Sequence, residues 1–205
     1  MAGSTERRRQ AIQTRQRIRD AARDLFVADG YTAATITNIA RRAAVAPQTV
    51  YFTYRSKAGL LSAVIDAEIV GDHAQVPLLD RPAATRVAAL TDPAQRLRSA
   101  VSLLCDVTER VAPVYELARG GSSDPEVRAL LDRHEQQRRQ THRVLVGLLA
   151  DNLRTGLGLE EASDRLYALV SHEMYWLLVE RCGWTKARWR RLAQEEAHRQ
   201  LLPAD

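Results

Sequence analysis

Two cysteines in 205 residues, Cys105 and Cys182, are too few and too far apart for a disulfide framework or a zinc site; they read as reduced, largely buried thiols. Glycine (10) and proline (7) are too sparse for a collagen-like or low-complexity chain. No apolar run approaches the ~20 residues of a membrane-spanning helix, and the polar, basic N-terminus lacks the apolar stretch of a secretory signal. These absences predict a cytoplasmic protein with no membrane partner. Alternating apolar and polar runs rich in Val, Ile and Thr are also missing, which removes the sheet classes. There is no Gly-rich phosphate loop, no nucleophile elbow and no pair of carboxylates at a recognisable spacing. His73, His134, His142, His172 and His198 show no metal-ligand pattern. Neither an enzyme, a metal nor a cofactor is expected.

What remains is 45% hydrophobic, enough to fill the core of one large or two small domains. The apolar residues recur at three- and four-residue spacing nearly throughout, so the fold class is all-α. Ile18, Ala21, Ala22, Leu25 and Phe26 form one stripe of a first helix, which Gly30 can end. Thr35 is placed to cap a short second helix carrying Ile36, Ile39, Ala40 and Ala43. Pro47 suits the first position of a third, because its missing N–H has no partner there, and Ser56 caps a fourth through Leu60, Leu61, Val64 and Ile65. Gly71 to Ala84 reads as a connection marked by Pro77 and Pro82. Longer helices follow from Pro93, from Asp124-Pro125 to about Leu153, from Leu159 to Cys182, and from Thr185.

Charge divides the chain unevenly. Residues 1–57 hold eleven Lys and Arg against four Asp and Glu, a net of +7; the other 148 residues hold 19 and 21, a net of −2. A basic module joined to a mildly acidic one suggests that the first meets a polyanion and the second does not. A solvated basic tail gives the same numbers.

Two short helices joined by the turn Ala44-Val45-Ala46 have the geometry of a helix-turn-helix. With Ile36, Ile39, Ala40, Val45 and Val50 inward, the third helix from Pro47 offers Gln48, Thr49, Tyr51, Phe52 and Thr53 to a major groove. Gln48 can pair with a base edge, Thr49 and Thr53 can reach bases or phosphates, and the Tyr51 ring can touch a thymine methyl. Thr35 at one helix N-terminus and Ser56-Lys57 at another suit a phosphate, and Arg7, Arg8 and Arg9 suit a flexible arm along the DNA. Each also has a plain reading: Thr35 and Ser56 as caps, Arg41 and Arg42 as solvated helix charges.

Residues 15 to 61 resemble the DNA-binding domain of TetR-family transcriptional regulators. Arg17-Ile18, Ala21-Ala22, Leu25-Phe26, Gly30-Tyr31, Thr35-Ile36, Ile39-Ala40, Val45, Thr49-Val50-Tyr51 and Ser56-Lys57 fall in that family's order and spacing. Ala44 replaces its usual turn glycine, Ala46 its usual Ser cap, Tyr54 a common Phe and Ala58 a frequent Glu. The resemblance implies a three-helix DNA-binding domain at 1–57, a larger helical ligand-binding and dimerisation domain at 58–205, and a homodimer. It further implies a palindromic double-stranded DNA operator and release of a repressor by a small-molecule effector. The rival reading is a helical small-molecule binder or enzyme with a basic N-terminal appendage.

Within 58–205 the ligand-facing candidates come from helix faces. A 100° wheel from Leu159 puts Glu173 amid Ala162, Leu166, Leu169, Val170, Trp176 and Leu177, where a carboxylate needs either an Arg partner or a polar, ligand-accepting cavity. His134, Arg138 and Thr141 share an apolar stripe with Val127, Leu130 and Leu145. Cys105 and Thr108 lie on the stripe of the Pro93 helix. Together with the aromatic surface of Tyr115 and Trp176, the set Cys105, Tyr115, His134, Glu173 and Trp176 predicts a pocket for a mostly apolar effector with a polar or cationic group; core packing is the alternative for each.

Overall fold

A computed structural model describes residues 2–71 and 76–203, with side chains from Thr5 onward. His73 and the middle of the expected 71–84 connection lie outside these residues. Among the described residues every regular element is helical. They are α1 (Ala2–Ala33), α2 (Ile36–Arg42), α3 (Pro47–Tyr54), α4 (Lys57–Val70), α5 (Pro82–Ala89), α6 (Pro93–Gly120), α7 (Pro125–Gly147), α8 (Leu159–Leu169), α9 (His172–Tyr175) and α10 (Lys186–Leu201), with single 3-10 turns at Leu78–Asp80 and Ala150–Asn152. No described helix is long and apolar enough to cross a membrane.

The chain forms two compact units, Met1–His73 with Pro113–Asp132, and Ala74–Ala112 with Arg133–Asp205. In the first, Ile18, Ala21, Ala22 and Phe26 of α1 are buried against Ile39 and Ala40 of α2, Val50 of α3 and Leu60, Leu61 and Ile65 of α4. A short ion pair, Arg23 to Glu68 at 2.5 Å, joins α1 to α4 along the edge of this core. Because α4 packs on α1, the expected division at 57/58 falls inside this unit. Gly30 leaves the helical region at φ 80°, ψ 162°, so the long first segment of α1 ends there as expected, and a separate short turn follows the kink to Ala33. Arg7, Arg8 and Arg9 are helical, where a flexible arm was expected; Arg9 pairs with Glu6 one turn back at 3.0 Å.

The second unit is built around Leu97, Val101, Leu104 and Cys105 of α6, Leu145 and Val146 of α7, Ala162 and Leu166 of α8, and Trp189, Ala193 and Leu201 of α10. Trp189 is fully buried, edge-on to Tyr175 with ring centroids 5.0 Å apart. The single helix expected over Leu159–Cys182 is broken after Leu169. Two hydroxyls cause the break. Thr108 of α6, buried, donates to the Val170 carbonyl at 2.8 Å. The Met174 N–H, which would bond that carbonyl in a continuous helix, goes instead to Ser171 Oγ at 3.0 Å. Beyond Tyr175 the chain continues as a wider π-helix, Trp176–Arg181, closed by Cys182 N–H to Leu177 O at 3.0 Å.

This break and widening rotate the later residues off the wheel drawn from Leu159. Leu177 is 50% exposed, and Glu173 lies at the surface where a buried carboxylate was expected. Cys182 is likewise exposed, against the expectation of two buried thiols; Cys105 is buried, and burial pushes its thiol up to about 12.

His142 of α7 is buried beside Tyr167, its Nδ1 2.7 Å from the Arg138 carbonyl and its Nε2 without a hydrogen-bond partner. Burial, with the nearby Arg138 charge, lowers its pKa to about 4, against the hydrogen bond's opposing effect.

Two stability predictions follow from these contacts. Thr108→Val keeps the shape of the side chain but strips the Val170 carbonyl of its donor, so the free energy of unfolding from urea titration should fall by about 1–3 kcal/mol. His142 stays neutral in the folded chain down to about pH 4, whereas the unfolded chain binds a proton near 6.5. Folding stability is therefore fully present above about pH 6.5 and declines on acidification towards 4, by roughly 2–4 kcal/mol. Urea midpoints across that window should slope in the wild type and lose this component in His142→Leu.

Candidate nucleic-acid interface

The turn between α2 and α3 is set by backbone bonds that finish α2. Val45 N–H reaches back to Ala40 O at 3.0 Å and Ala44 N–H to Arg41 O at 3.2 Å, the paired closure that requires a left-handed residue just past the helix. That residue is Ala44, at φ 53°. An alanine there costs about 1 kcal/mol relative to glycine, so the closure is made against a penalty. The next helix begins with no side-chain cap at Ala46 and relies on Pro47 at its first position.

Val50 is the buried residue of α3, and its i, i+3 and i+4 neighbours define the rest. Gln48, Tyr51, Phe52 and Arg55 are exposed, with Phe52 91% accessible, while Pro47, Thr49 and Thr53 are partly covered. Thr53 donates its hydroxyl to the Thr49 carbonyl at 2.7 Å. Tyr54 donates to the Arg15 carbonyl of α1 at 2.9 Å, which gives the hydroxyl that replaces a common Phe a structural use.

The end of α3 is bent sharply. Arg55 sits at φ 66°, ψ −49°, and Ser56 N–H reaches Tyr54 O at 2.8 Å, a γ-turn of the uncommon hand. Ser56 then caps α4 by accepting from Gly59 N–H at 3.0 Å. A Cβ on Gly59 would lie 2.3 Å from the Tyr54 carbonyl oxygen, so only glycine lets α4 start this close to the end of α3. Thr35 caps α2 in the same way, accepting from Asn38 N–H at 3.2 Å. A hydroxyl that accepts in a cap still has its own proton to donate, so both caps retain phosphate-binding chemistry.

Lys57 is placed differently from the phosphate clamp expected of it. Its Nζ donates to the main-chain carbonyls of Tyr31 at 2.8 Å, Ala34 at 3.2 Å and Thr32 at 3.4 Å, and stands 4.3 Å from the Tyr31 ring centre. Three donors and three acceptors leave the ammonium fully engaged. Burial lowers its pKa, opposed by Asp124. Tyr31 in turn donates to Asp124 Oδ2 at 3.2 Å, and Asp124 Oδ1 caps the Glu126 N–H of α7 at 2.9 Å. Arg42 pairs with Asp24 at 2.6 Å and Arg41 bonds Asn38 at 3.2 Å, both at the surface.

Of the ligand-facing candidates, Cys105, His134, Glu173 and Trp176 belong to the second unit and Tyr115 to the first. Cys105 belongs to the apolar core of the second unit, His134 is buried in that unit, and Tyr115 is buried in the first. Trp176 is half-buried and stacks on the Arg181 guanidinium at 4.2 Å. Glu173 lies 4.0 Å from Arg138, the arginine partner that was one of its two expected fates. What periodicity did not single out is Tyr167, which Arg138 donates to and which donates to Glu135, with the guanidinium carbon of Arg138 4.2 Å from its ring. Its position next to Leu166 on the inward edge of α8 was the available signal. Among the described residues no group of His, Cys, Asp and Glu could hold a metal ion.

Residues 18–64 match the model of the bacterial regulatory proteins of the tetR family. Over 56 residues the chain is 46% identical to the transcriptional regulator SrpR of Pseudomonas putida, an alignment spanning 27% of this chain and only 26% of that relative. Among solved structures, native NalD of Pseudomonas aeruginosa, the secondary repressor of the MexAB-OprM multidrug efflux pump, aligns with TM-score 0.70 at 21% identity, over 95% of this chain and 100% of that one. A transcriptional regulator from Saccharomonospora viridis, solved with choline, aligns with TM-score 0.70 at 18% identity, over 93% and 98%. At these identities the structural matches speak for the fold, and the sequence match for the N-terminal domain. The sequence matches place a helix-turn-helix domain of the TetR family of bacterial regulators at residues 18–64 of this chain.

Proposed function

We propose that the protein is a cytoplasmic repressor that binds a palindromic operator as a homodimer and is released by a small-molecule effector. The observation that carries this reading is the outward face of α3, where Gln48, Tyr51 and Phe52 are exposed on a module of net charge +7. In a two-fold dimer, two such faces read half-sites about 34–36 Å apart or a multiple of that spacing. Gln48 reads a base edge, Thr49 and Tyr51 support it, Pro47 presets the helix entry, and the Thr35 and Ser56 hydroxyls fix phosphates. The effector enters the helical domain over 58–205, its polar group meeting Glu173 and Arg138, with His134, Cys105 and Trp176 around it. Within the first unit, the Tyr31 to Asp124 bond supplies a link from the helix-turn-helix to the start of α7. An effector that favours the dimer with the wrong spacing weakens DNA binding by its differential affinity.

The test is a mobility shift with the DNA flanking the protein's own gene at two salt concentrations, with the dimer checked by sedimentation. Binding should be sequence-specific and weaken steeply with salt. Gln48→Ala should lose roughly 1–3 kcal/mol of discrimination against unrelated DNA. Absence of binding, or sequence-independent binding at physiological salt, overturns the reading. Lys57→Met is expected to act on the fold: its unfolding free energy should drop by about 1–3 kcal/mol as three carbonyls lose their donor, while the salt slope of DNA binding stays that of the wild type.

A further inference from the structure

We propose that Phe52 is a specificity residue that reads thymine, its ring packing on the 5-methyl group in the major groove beside the base held by Gln48. The inference rests on the DNA-binding reading above. Phe52 is 91% exposed, more than any other large hydrophobic among the described residues. An aromatic ring left in water is a free-energy cost that a partner can remove. The partner's chemistry is limited by the module's net charge of +7, which favours a polyanion over an apolar protein surface.

On duplex DNA, Phe52 has few things it can recognise. It carries no donor or acceptor, so purine edges and phosphates are closed to it; the thymine methyl is the apolar group the major groove offers. Phe52 is four residues after Gln48 and on the same helical face, so the two side chains meet neighbouring bases. Gln48 suits adenine, whose N6 and N7 match its amide, and Phe52 suits thymine. Together they select A·T pairs within each half-site.

Three of the polar groups at this end of the helix donate elsewhere. The Thr53 hydroxyl bonds the Thr49 carbonyl, the Tyr54 hydroxyl bonds the Arg15 carbonyl, and the Lys57 ammonium bonds the three carbonyls at the end of α1. Between the Tyr51 hydroxyl and the Arg55 guanidinium, the C-terminal half of α3 thus presents the Phe52 ring as its most exposed apolar group.

Full-length protein is used to enrich duplexes from a random-sequence pool, and the enriched duplex is remade with uracil for thymine, which deletes only the methyl groups. Wild type should bind the uracil duplex about fourfold more weakly for each contacted methyl, or about sixteenfold for one in each half-site. Phe52→Ala, an exposed position where folding is checked by thermal melting, should bind the thymine duplex more weakly and lose the distinction between the two duplexes. Phe52→Leu should keep part of it. Equal wild-type affinity for both duplexes overturns the proposal while leaving DNA recognition standing. A thymine preference that survives in Phe52→Ala assigns the methyl to Tyr51 and also overturns it. If the pool yields no enriched sequence, the DNA-binding reading falls and this inference with it.

Discussion

The N-terminal module depends on where one ammonium group goes. A lysine at the first position of a helix is badly placed for that helix, because the N-terminal end of the dipole is positive. Lys57 resolves the conflict by turning away from α4 to the main-chain carbonyls of Tyr31, Thr32 and Ala34 in the turn that follows Gly30, which need donors from outside. The contact fixes the start of α4 against the end of α1. Gly59 then lets the same start lie against the Tyr54 carbonyl, so the end of the recognition helix is held from both sides. Tyr31 joins these parts: its carbonyl and ring receive the lysine, and its hydroxyl reaches Asp124. Gly121 leaves room for that ring, since a Cβ there would stand 2.7 Å from it.

The same module carries local costs. Ala44 is left-handed, Ala46 supplies no cap, and Arg55 sits in a γ-turn. Each is a penalty of about 1 kcal/mol or more in isolation. They are confined to the two ends of α3, and the surroundings over-determine them: Val50 is buried, Tyr54 is tied to α1, and the turn is closed by two backbone bonds. The recognition helix thus keeps its orientation through tertiary contacts more than through its own eight residues, which are too short to persist alone.

What the sequence made legible, and what it did not, follows the range of the interactions. Thr35, Pro47 and Ser56 act within three residues of themselves, and each starts a helix where its chemistry predicts. The apolar stripe of α1 is equally local. The role of Lys57 is not legible locally, because a cation beside a helix N-terminus has two outlets, a bound anion or neighbouring main-chain carbonyls, and only the fold decides between them. The break after Leu169 was invisible because half of its cause, Thr108, lies 62 residues away on α6. Once Thr108 takes the Val170 carbonyl, Ser171 becomes a cap and the helical phase behind it changes, so Glu173 moves from the middle of an apolar face to the surface. A wheel assumes one unbroken phase, and every assignment beyond Val170 inherited that assumption.

Charge asymmetry along the chain acquires a physical meaning once internal pairing is subtracted from it. Of the eleven cations in the first 57 residues, Lys57 caps a helix end, Arg23 pairs with Glu68, Arg42 with Asp24 and Arg9 with Glu6. The exposed pairs are worth little in water and exchange readily with a phosphate, whereas the Lys57 contacts are partly buried and do not. The cations left to a polyanion are therefore those of α1 and α2, which flank α3, together with the exposed Arg55 just past its C-terminal end. In the proposed complex this separates two tasks: flanking arginines would supply sequence-independent attraction, and the glutamine, tyrosine and phenylalanine of α3 would be left to discriminate among bases.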